Sequence, residues 1–268
     1  MVQATYTKAQ ELTGFLESRG IYVWTCSAWE TENAIANLDN TDLIVSTGGD
    51  GTILRAAQVA LPSQIPITGI NMGKLGFLTE FKADEAIDQL SELLEGKGWL
   101  DERTMLEACL EPIESNCKPR NIFFALNDVV LARGAIARLI QVKTSIDDKP
   151  LTTFRSDGVI LATATGSTGY SLAAGGPILY PQSTDFLLLP IVPHLSMDYS
   201  LVLPSTSIVR LQLNTTNQAT LSIDGHINIS VYNDSIITVK QSNKKVRFLR
   251  LRQHNYFDKL EEKLRGIN

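Results

Sequence analysis

Apolar positions in the first hundred residues recur at helical spacing between short β-rich runs, whereas beyond residue 100 the helical spacing almost vanishes. Ala9, Leu12, Phe15 and Leu16 lie on one side of a predicted helix, and Gly20 supplies its left-handed end. Runs at residues 21–24 and 43–47 predict strands, the second continuous enough for burial on both faces of a parallel sheet. A helix over 53–60, a strand over 66–70, and a helix carrying Ala86, Ile87, Leu90, Leu93 and Leu94 up to Gly96 complete an α/β pattern. Only residues 1–5 precede the first helix, so any opening strand is expected to be very short.

After Gly98, strand candidates follow one another at 106–110, 128–132, 139–146, 159–163, 208–213, 221–223 and 236–240, with a hairpin turn at 147–150. One helix is expected to interrupt them near Thr168. Phe257, Leu260 and Leu264 mark an amphipathic tail helix that has to pack on the folded body. The expected fold is therefore an α/β, Rossmann-like domain with a parallel sheet over 1–99, a β-rich, sandwich-like domain over 100–251, and a tail helix over 252–268.

With 44% hydrophobic and 20% charged residues in 268, the chain can bury a core in each half. A net charge of −5 argues against nucleic acid as a partner, since no general attraction to a phosphate polymer follows from it. The longest nearly apolar stretch, residues 186–193, is far short of the ~20 residues of a membrane span, and no leader pattern opens the chain, so a cytoplasmic protein without a membrane partner is expected. Cys26, Cys109 and Cys117 show no CxxC spacing and read as reduced structural thiols.

Residues 42–60 read DLIVSTGGDGTILRAAQVA: a strand, a glycine-rich turn, a helix. Such a turn brings backbone amides and a helix N-terminus to a phosphate. It is neither the GxxxxGK[ST] nor the GxGxxG pattern. Asp50 among those amides is either a helix cap, as Thr52 is in the same reading, or a group that takes a proton from an attacking hydroxyl. Further along, ALNDVVLARG (125–134) and RSDGVILATATGSTGYSLAAGGP (155–177) set a hydroxyl- and glycine-rich loop at a helix start, suited to one polar ligand. The plainer reading is a capped helix behind a DG turn.

The GGDGT sequence resembles the signature shared by NAD kinases, diacylglycerol kinases, sphingosine kinases and, more distantly, phosphofructokinases. GINMGKLGFLTEF (69–81) and the 155–177 segment resemble NAD kinases in particular, and the resemblance covers most of residues 42–251. It implies transfer of the γ-phosphoryl group of ATP to the adenosine 2′-hydroxyl of NAD, with NAD between the two domains and Mg²⁺ arriving on ATP without a protein ligand cluster. It also implies Asp50 as the base and Gly51 at the phosphates. Phe77, Asn127 and Asp128 would contact the dinucleotide, and Asp157 would line the NAD site with Thr168, Gly169, Tyr170, Ser171, Leu172 and Ala173. Arg55, Arg138, Arg155 and His226 match positions near the ligand, although an edge arginine or a histidine after a DG turn also has an ordinary solvated role. A homodimer or homotetramer is implied, with the apolar run 186–192 as a surface needing cover.

The chain departs from the family pattern at several positions. Asp128 stands where relatives commonly carry Glu, Ala164 replaces a proline, Gly169 replaces an alanine, SIDGHI replaces a DGQ pattern, and HLSMDYSL at 194–201 lacks the family's arginine. A lipid kinase using the same GGDGT is the rival enzyme, but no basic or amphipathic docking stretch supports it. A binding protein that has kept the NAD site and lost turnover is the rival of another class, and the intact Asp50 speaks against it.

Overall fold

Helical spacing at the start does produce a helix: α1 runs Val2–Ser18, and Gly20 ends it with a φ of +76°. The computed structural model describes residues 2–73, 76–111, 121–134, 138–194, 199–251, 256–257 and 260–261. Among the described residues α1 already includes Val2 to Thr5, so the short opening strand is not found there. Residues 21–24 also form no strand. Ile21 and Val23 pack as single side chains on the core below α1, and Trp24 donates from Nε1 to Thr41 Oγ1 at 3.0 Å instead of entering a ladder.

The chain divides into two units, Met1–Glu102 with Val246–Asn268, and Arg103–Lys245. In the first, α2 (Thr31–Ala36) leads to β1 (Ile44–Gly48), α3 (Asp50–Ala60) and β2 (Ile67–Asn71). β1 and β2 are parallel, with Ile44 opposite Ile67 and Gly48 opposite Asn71, so α3 is the crossover that parallel pairing demands. β2 is the strand buried throughout, while β1 is only partly covered, which corrects the expected two-sided burial of residues 43–47. β3 (Phe81–Lys82) joins β2 in parallel with Lys82 opposite Asn71, and α4 (Ala86–Leu94) follows. Leu12, Leu16, Ile70, Phe81, Leu90 and Leu93 form this unit's main core.

The second unit is built of strands, the first and last of which, β4 and β15, each have one end in the first unit. β4 (Trp99–Leu110), β5 (Asn121–Ala125), β6 (Asp128–Arg133), β7 (Ile140–Ile146), β8 (Lys149–Ser156) and β9 (Gly158–Ala162) come first. A 3-10 turn (Gly166–Thr168) and α5 (Tyr170–Ala173) interrupt them. β10 (Phe186–Ile191), β11 (Leu201–Leu203), β12 (Ile208–Asn214), β13 (Ala219–Ile223), β14 (Ile227–Val231) and β15 (Ile236–Arg250) complete the chain of strands. The expected helix near Thr168 is thus a single turn. The hairpin between β7 and β8 turns on Asp147 and Asp148, both at positive φ (49° and 62°), the conformation of a type I′ turn.

Within this unit β12 pairs with β7 and with the first residues of β15, β7 pairs with β8, and β4 pairs with β5. The other sheet runs β11-β10-β9-β6-β13-β14, antiparallel throughout. The two sheets face each other across one core that includes Leu106, Phe154, Val159, Leu161, Phe186, Leu188, Leu211 and Leu221, a sandwich as expected. Alternate residues Ile160, Ala162, Leu187, Leu189 and Ile191 form a second core on the outer face. Two-sided burial explains why the 159–162 and 186–191 runs are continuously apolar. It also overturns the reading of 186–192 as an exposed patch, since all six residues of β10 are buried and only Val192 is open. Of the tail helix, Tyr256, Phe257, Leu260 and Glu261 are helical, and the rest of 252–268 lies outside the described residues.

This placement makes Leu188, 1% exposed, a core residue rather than an interface residue. Leu188→Ala is expected to lower stability by about 2–5 kcal/mol in denaturant unfolding while leaving the sedimentation coefficient of the folded protein unchanged.

Candidate active site

The glycine-rich turn sits where β1 passes into α3. Gly49 is the residue before the helix, and Thr52 N and Ile53 N both donate to its carbonyl, at 3.0 and 3.3 Å. The amides of Asp50 and Gly51 open α3 without a helical acceptor, the arrangement that receives an anion. No side chain caps the helix, so the cap reading of Asp50 and Thr52 is set aside. Asp50 instead reaches across to a segment 27 and 28 residues later: its Oδ2 accepts from Phe77 N at 2.8 Å and its Oδ1 from Leu78 N at 3.0 Å. A Cβ at Gly76 would run into this carboxylate, so glycine there is a condition of the contact.

The far side of that segment is anchored as well. Arg250 donates from Nη1 to Leu78 O at 2.8 Å and to Glu80 Oε2 at 3.1 Å, and from Nε to Asp101 Oδ2 at 3.3 Å. Leu251 N closes on Glu80 Oε1 at 3.1 Å. Leu78 is therefore held at both ends of its peptide frame, the amide by Asp50 and the carbonyl by a buried arginine. Phe77 is half-buried with its ring 6.4 Å from that of Tyr256. Arg55 lies with its guanidinium 3.7 Å from the ring centre of Trp29. An open cleft of ≈ 320 Å³ at the carboxyl ends of β2 and β3, lined by Asn71, Met72, Gly73, Lys82, Ala83 and Asp84, brings Lys82 to the edge where Gly48 stands. That lysine was not legible as a site residue in the sequence.

In the second unit Asn127 and Asp128 sit where the chain enters β6. Thr163 N donates to Asn127 O at 2.9 Å, and Thr163 Oγ1 donates to Leu126 O at 2.6 Å and accepts from Gly166 N at 3.0 Å. This stitches the TATGSTGYS loop to the ND pair so closely that a Cβ on Gly166 would meet the Asn127 carbonyl. Gly169 lies beside both side chains. A Cβ there would stand 3.4 Å from Asn127 Nδ2 and 3.8 Å from Asp128 Oδ2. Ser171 is buried with its Oγ lacking a partner, as does Asn127 Oδ1. Thr168 donates from Oγ1 to Thr165 O, Tyr170 is exposed, Leu172 is half-buried and Ala173 exposed.

The sequence also gave no sign of Asp224. Its carboxylate accepts from Leu126 N at 2.9 Å, Asn127 N at 2.7 Å and Asp128 N at 3.2 Å, and its own amide donates to Asp128 O at 3.0 Å. Burial and the neighbouring Asp224 carboxylate push the Asp128 carboxyl up to about 7. Burial pushes Asp224 upward too, opposed by its three backbone donors and by His226. His226 ends the turn on Asp224 and Gly225, donating its amide to Ile223 O at 3.2 Å. Its Nδ1 lies 3.1 Å from Asp224 O; a carbonyl only accepts, so Nδ1 carries the hydrogen.

Not every expected site residue gathers here. Ala162 faces Asp128 across β9 and β6, while Gly158 faces Ala132. Asp157 therefore stands at the opposite end of β9, roughly 17 Å along the strand at ~3.3 Å per residue. There Asp157 Oδ1 accepts from Arg133 Nε at 2.6 Å. Arg155 is exposed on β8, and exposed Arg138 comes two residues before Ile140, whose register partner is Ser156. Asp157, paired with Arg133, thus stands apart from the Asn127 and Asp128 cluster. Of the 194–201 segment, residues 195–198 lie outside the described residues.

Residues 3–98 match the ATP-NAD kinase N-terminal domain and residues 126–251 the ATP-NAD kinase C-terminal domain. The chain belongs to the ATP-NAD kinase family. It is 52% identical over 261 residues to an NAD kinase of Dehalococcoides mccartyi, covering 97% of this chain and 91% of that one. An NAD kinase of Chloroflexus aggregans is 39% identical, over 95% of this chain and 91% of its own. Among solved structures, an NAD kinase from Archaeoglobus fulgidus in complex with ATP superposes with a TM-score of 0.78 at 28% identity, over 97% of this chain and 95% of that chain. A yeast NADH kinase complexed with NADH gives 0.77 at 33% identity, over 85% of this chain and 67% of that chain.

Removing the buried guanidinium tests how far the Leu78 segment depends on it. Arg250→Met removes the guanidinium that pairs with the buried Glu80 and Asp101 carboxylates, so unfolding free energy is expected to drop by about 3–5 kcal/mol, read from denaturant titration.

Proposed function

We propose that this chain transfers the γ-phosphoryl group of ATP to the adenosine 2′-hydroxyl of NAD, giving NADP. The observation that carries this reading is the coexistence, in a chain of the ATP-NAD kinase family, of an uncapped helix N-terminus beside Asp50 with the polar ND and TATGSTGYS cluster. The amides of Asp50 and Gly51 receive phosphate oxygens, with Lys82 on the neighbouring strand end as a further cation. Asp50 accepts the proton of the attacking hydroxyl. Each carboxylate oxygen keeps a lone pair after its backbone hydrogen bond, so Asp50 can be held in place and still act. Asn127, Asp128 and the residues Thr168, Gly169, Tyr170, Ser171, Leu172 and Ala173 take the dinucleotide.

The donor set does not make a cage for a divalent ion, since among the described residues no group of three or more His, Cys, Asp or Glu is poised to hold one. Mg²⁺ is proposed to come on the ATP phosphates, where it neutralises charge. We place the enzyme in the cytoplasm, where both nucleotides are found and where the thiols of Cys26 and Cys109 stay reduced. No helix among the described residues is long and apolar enough to cross a membrane.

The decisive variant is Asp50→Asn. NADP formation in a coupled assay with ATP, Mg²⁺ and NAD is expected to fall by ~10² or more while calorimetric affinity for NAD persists. An amide has one acceptor oxygen for two backbone donors, so stability should also decline by about 1–3 kcal/mol. A variant retaining most of its rate would remove Asp50 from the chemistry.

A homodimer or homotetramer is proposed on different grounds from the apolar run considered at first. The outer strands β11 and β14 end one sheet, and Val202, Tyr199 and Tyr232 stand exposed on or beside them. Sedimentation at micromolar concentration should give a mass at least twice 29.5 kDa, and a single 29.5 kDa species would count against assembly.

A further inference from the structure

Two carboxyls meet at the entrance to β6, and the backbone treats them unequally. Asp224 receives three N–H groups, from Leu126, Asn127 and Asp128, at 2.7–3.2 Å. Asp128 is 5% exposed, and among the described residues no donor is directed at its carboxyl. A negative charge on Asp224 is thus compensated and one on Asp128 is not, so when the pair carries a single charge it rests on Asp224.

We propose that Asp224 is a positioning residue that fixes the Asn127–Asp128 peptides and takes the pair's negative charge, so that Asp128 meets the dinucleotide as a neutral carboxylic acid and donates a hydrogen bond to it. This rests on the reading of Asn127 and Asp128 as dinucleotide contacts. The two side chains offer complementary groups: Asn127 Oδ1 is an unpartnered buried acceptor, and the protonated carboxyl of Asp128, the next residue, is a donor. Gly169 leaves room next to both, where a methyl would otherwise stand. The couple suits a ligand edge with an N–H hydrogen next to a lone pair, a pattern NAD carries on its adenine and on its carboxamide.

The charged groups around Asp128 are few. Asp224 faces it from the β13–β14 turn, and His226 acts on Asp224. Arg103, buried on β4, donates to Thr165 Oγ1 at 3.4 Å in the loop packed over it. Tyr170, exposed, is the only titratable side chain between residues 163 and 170. The acid form of Asp128 dominates below about 7, the value to which burial and Asp224 raise it, and is lost as pH rises through that value. NAD affinity should follow that sign.

The test is the dissociation constant of NAD by calorimetry from pH 6 to pH 9, on the full-length protein and two variants. For the unaltered protein, affinity is expected to be level below pH 7 and to weaken above it, approaching ~10-fold per pH unit. In Asp128→Asn the amide donates at every pH, so the alkaline weakening should vanish. In Asp224→Asn the neighbouring charge is gone, so the onset of weakening should move to lower pH. Affinity of the unaltered protein that is flat from pH 6 to pH 9, or an alkaline limb that survives in Asp128→Asn, would overturn the proposal. Should Asp224→Asn fail to fold, the Asp128→Asn comparison still decides. NADP formation by the unaltered protein at pH 7 is followed alongside. Its absence would defeat the kinase reading, whereas turnover with a flat affinity profile would defeat this inference alone.

Discussion

Backbone amides at loop starts have no strand or helix partner, and meeting their demand for an acceptor is the constraint on which both polar sites depend. In each unit one aspartate does it. Asp50 takes the amides of Phe77 and Leu78, and Asp224 takes those of Leu126, Asn127 and Asp128. A hydrogen bond to an ionised group contributes about 1.5–3 kcal/mol, roughly twice a neutral one, so a few of them can hold an irregular segment that has no ladder. The segments fixed in this way are the ones that carry the candidate chemistry.

Such loops need a base that does not yield. In the second unit that base is a sandwich in which β9 and β10 are buried on both faces, alternate side chains feeding two different cores. β6 and β9 run side by side from Asp128 and Ala162 at one end to Ala132 and Gly158 at the other, so the ND pair and the TATGSTGYS loop leave the sheet at the same edge. Thr163 then needs only its hydroxyl to join them. In the first unit the equivalent support is β2, buried along its length, with a buried arginine behind the Leu78 segment.

Much of this was legible in the residues. Helical or alternating spacing located α1, α3, α4, β7, β12 and β13, each with a face whose burial dictates residue type, and short apolar runs bounded by turn residues located β2, β6 and β9. The strands missed are of two kinds. β8 reads KPLTTFRS, with most of its side chains open or half-open, and solvent exposure leaves no alternation strict enough to count. β10 reads FLLLPI, and a run buried on both faces has no alternation at all, which is why it resembled a sticky surface. The glycine-rich turn points to residue 50, yet the identity of its partners depends on chain 27 and 28 residues away, which local pattern does not encode. Asp224 was hidden more deeply. Its turn looks like any DG turn, and its three donors lie 96–98 residues earlier in the chain. Asp157 shows the converse: it is close to Thr168 in sequence, but the length of β9 separates them within the chain.

Three aspartates in this chain therefore differ in function through the number of backbone donors each receives. Asp224, with three and a histidine nearby, is suited to carry charge without contacting a ligand. Asp50, with two spread over both oxygens, is fixed in direction yet keeps lone pairs for an incoming hydrogen. Asp128, buried with none, lacks the means to stabilise a charge and is left to hold a proton beside the one that does. Residue type alone makes the three equivalent. The difference arises because the sheet ends deliver spare N–H groups to two positions and withhold them from the third, so main-chain topology distinguishes the proposed acid, base and anchor.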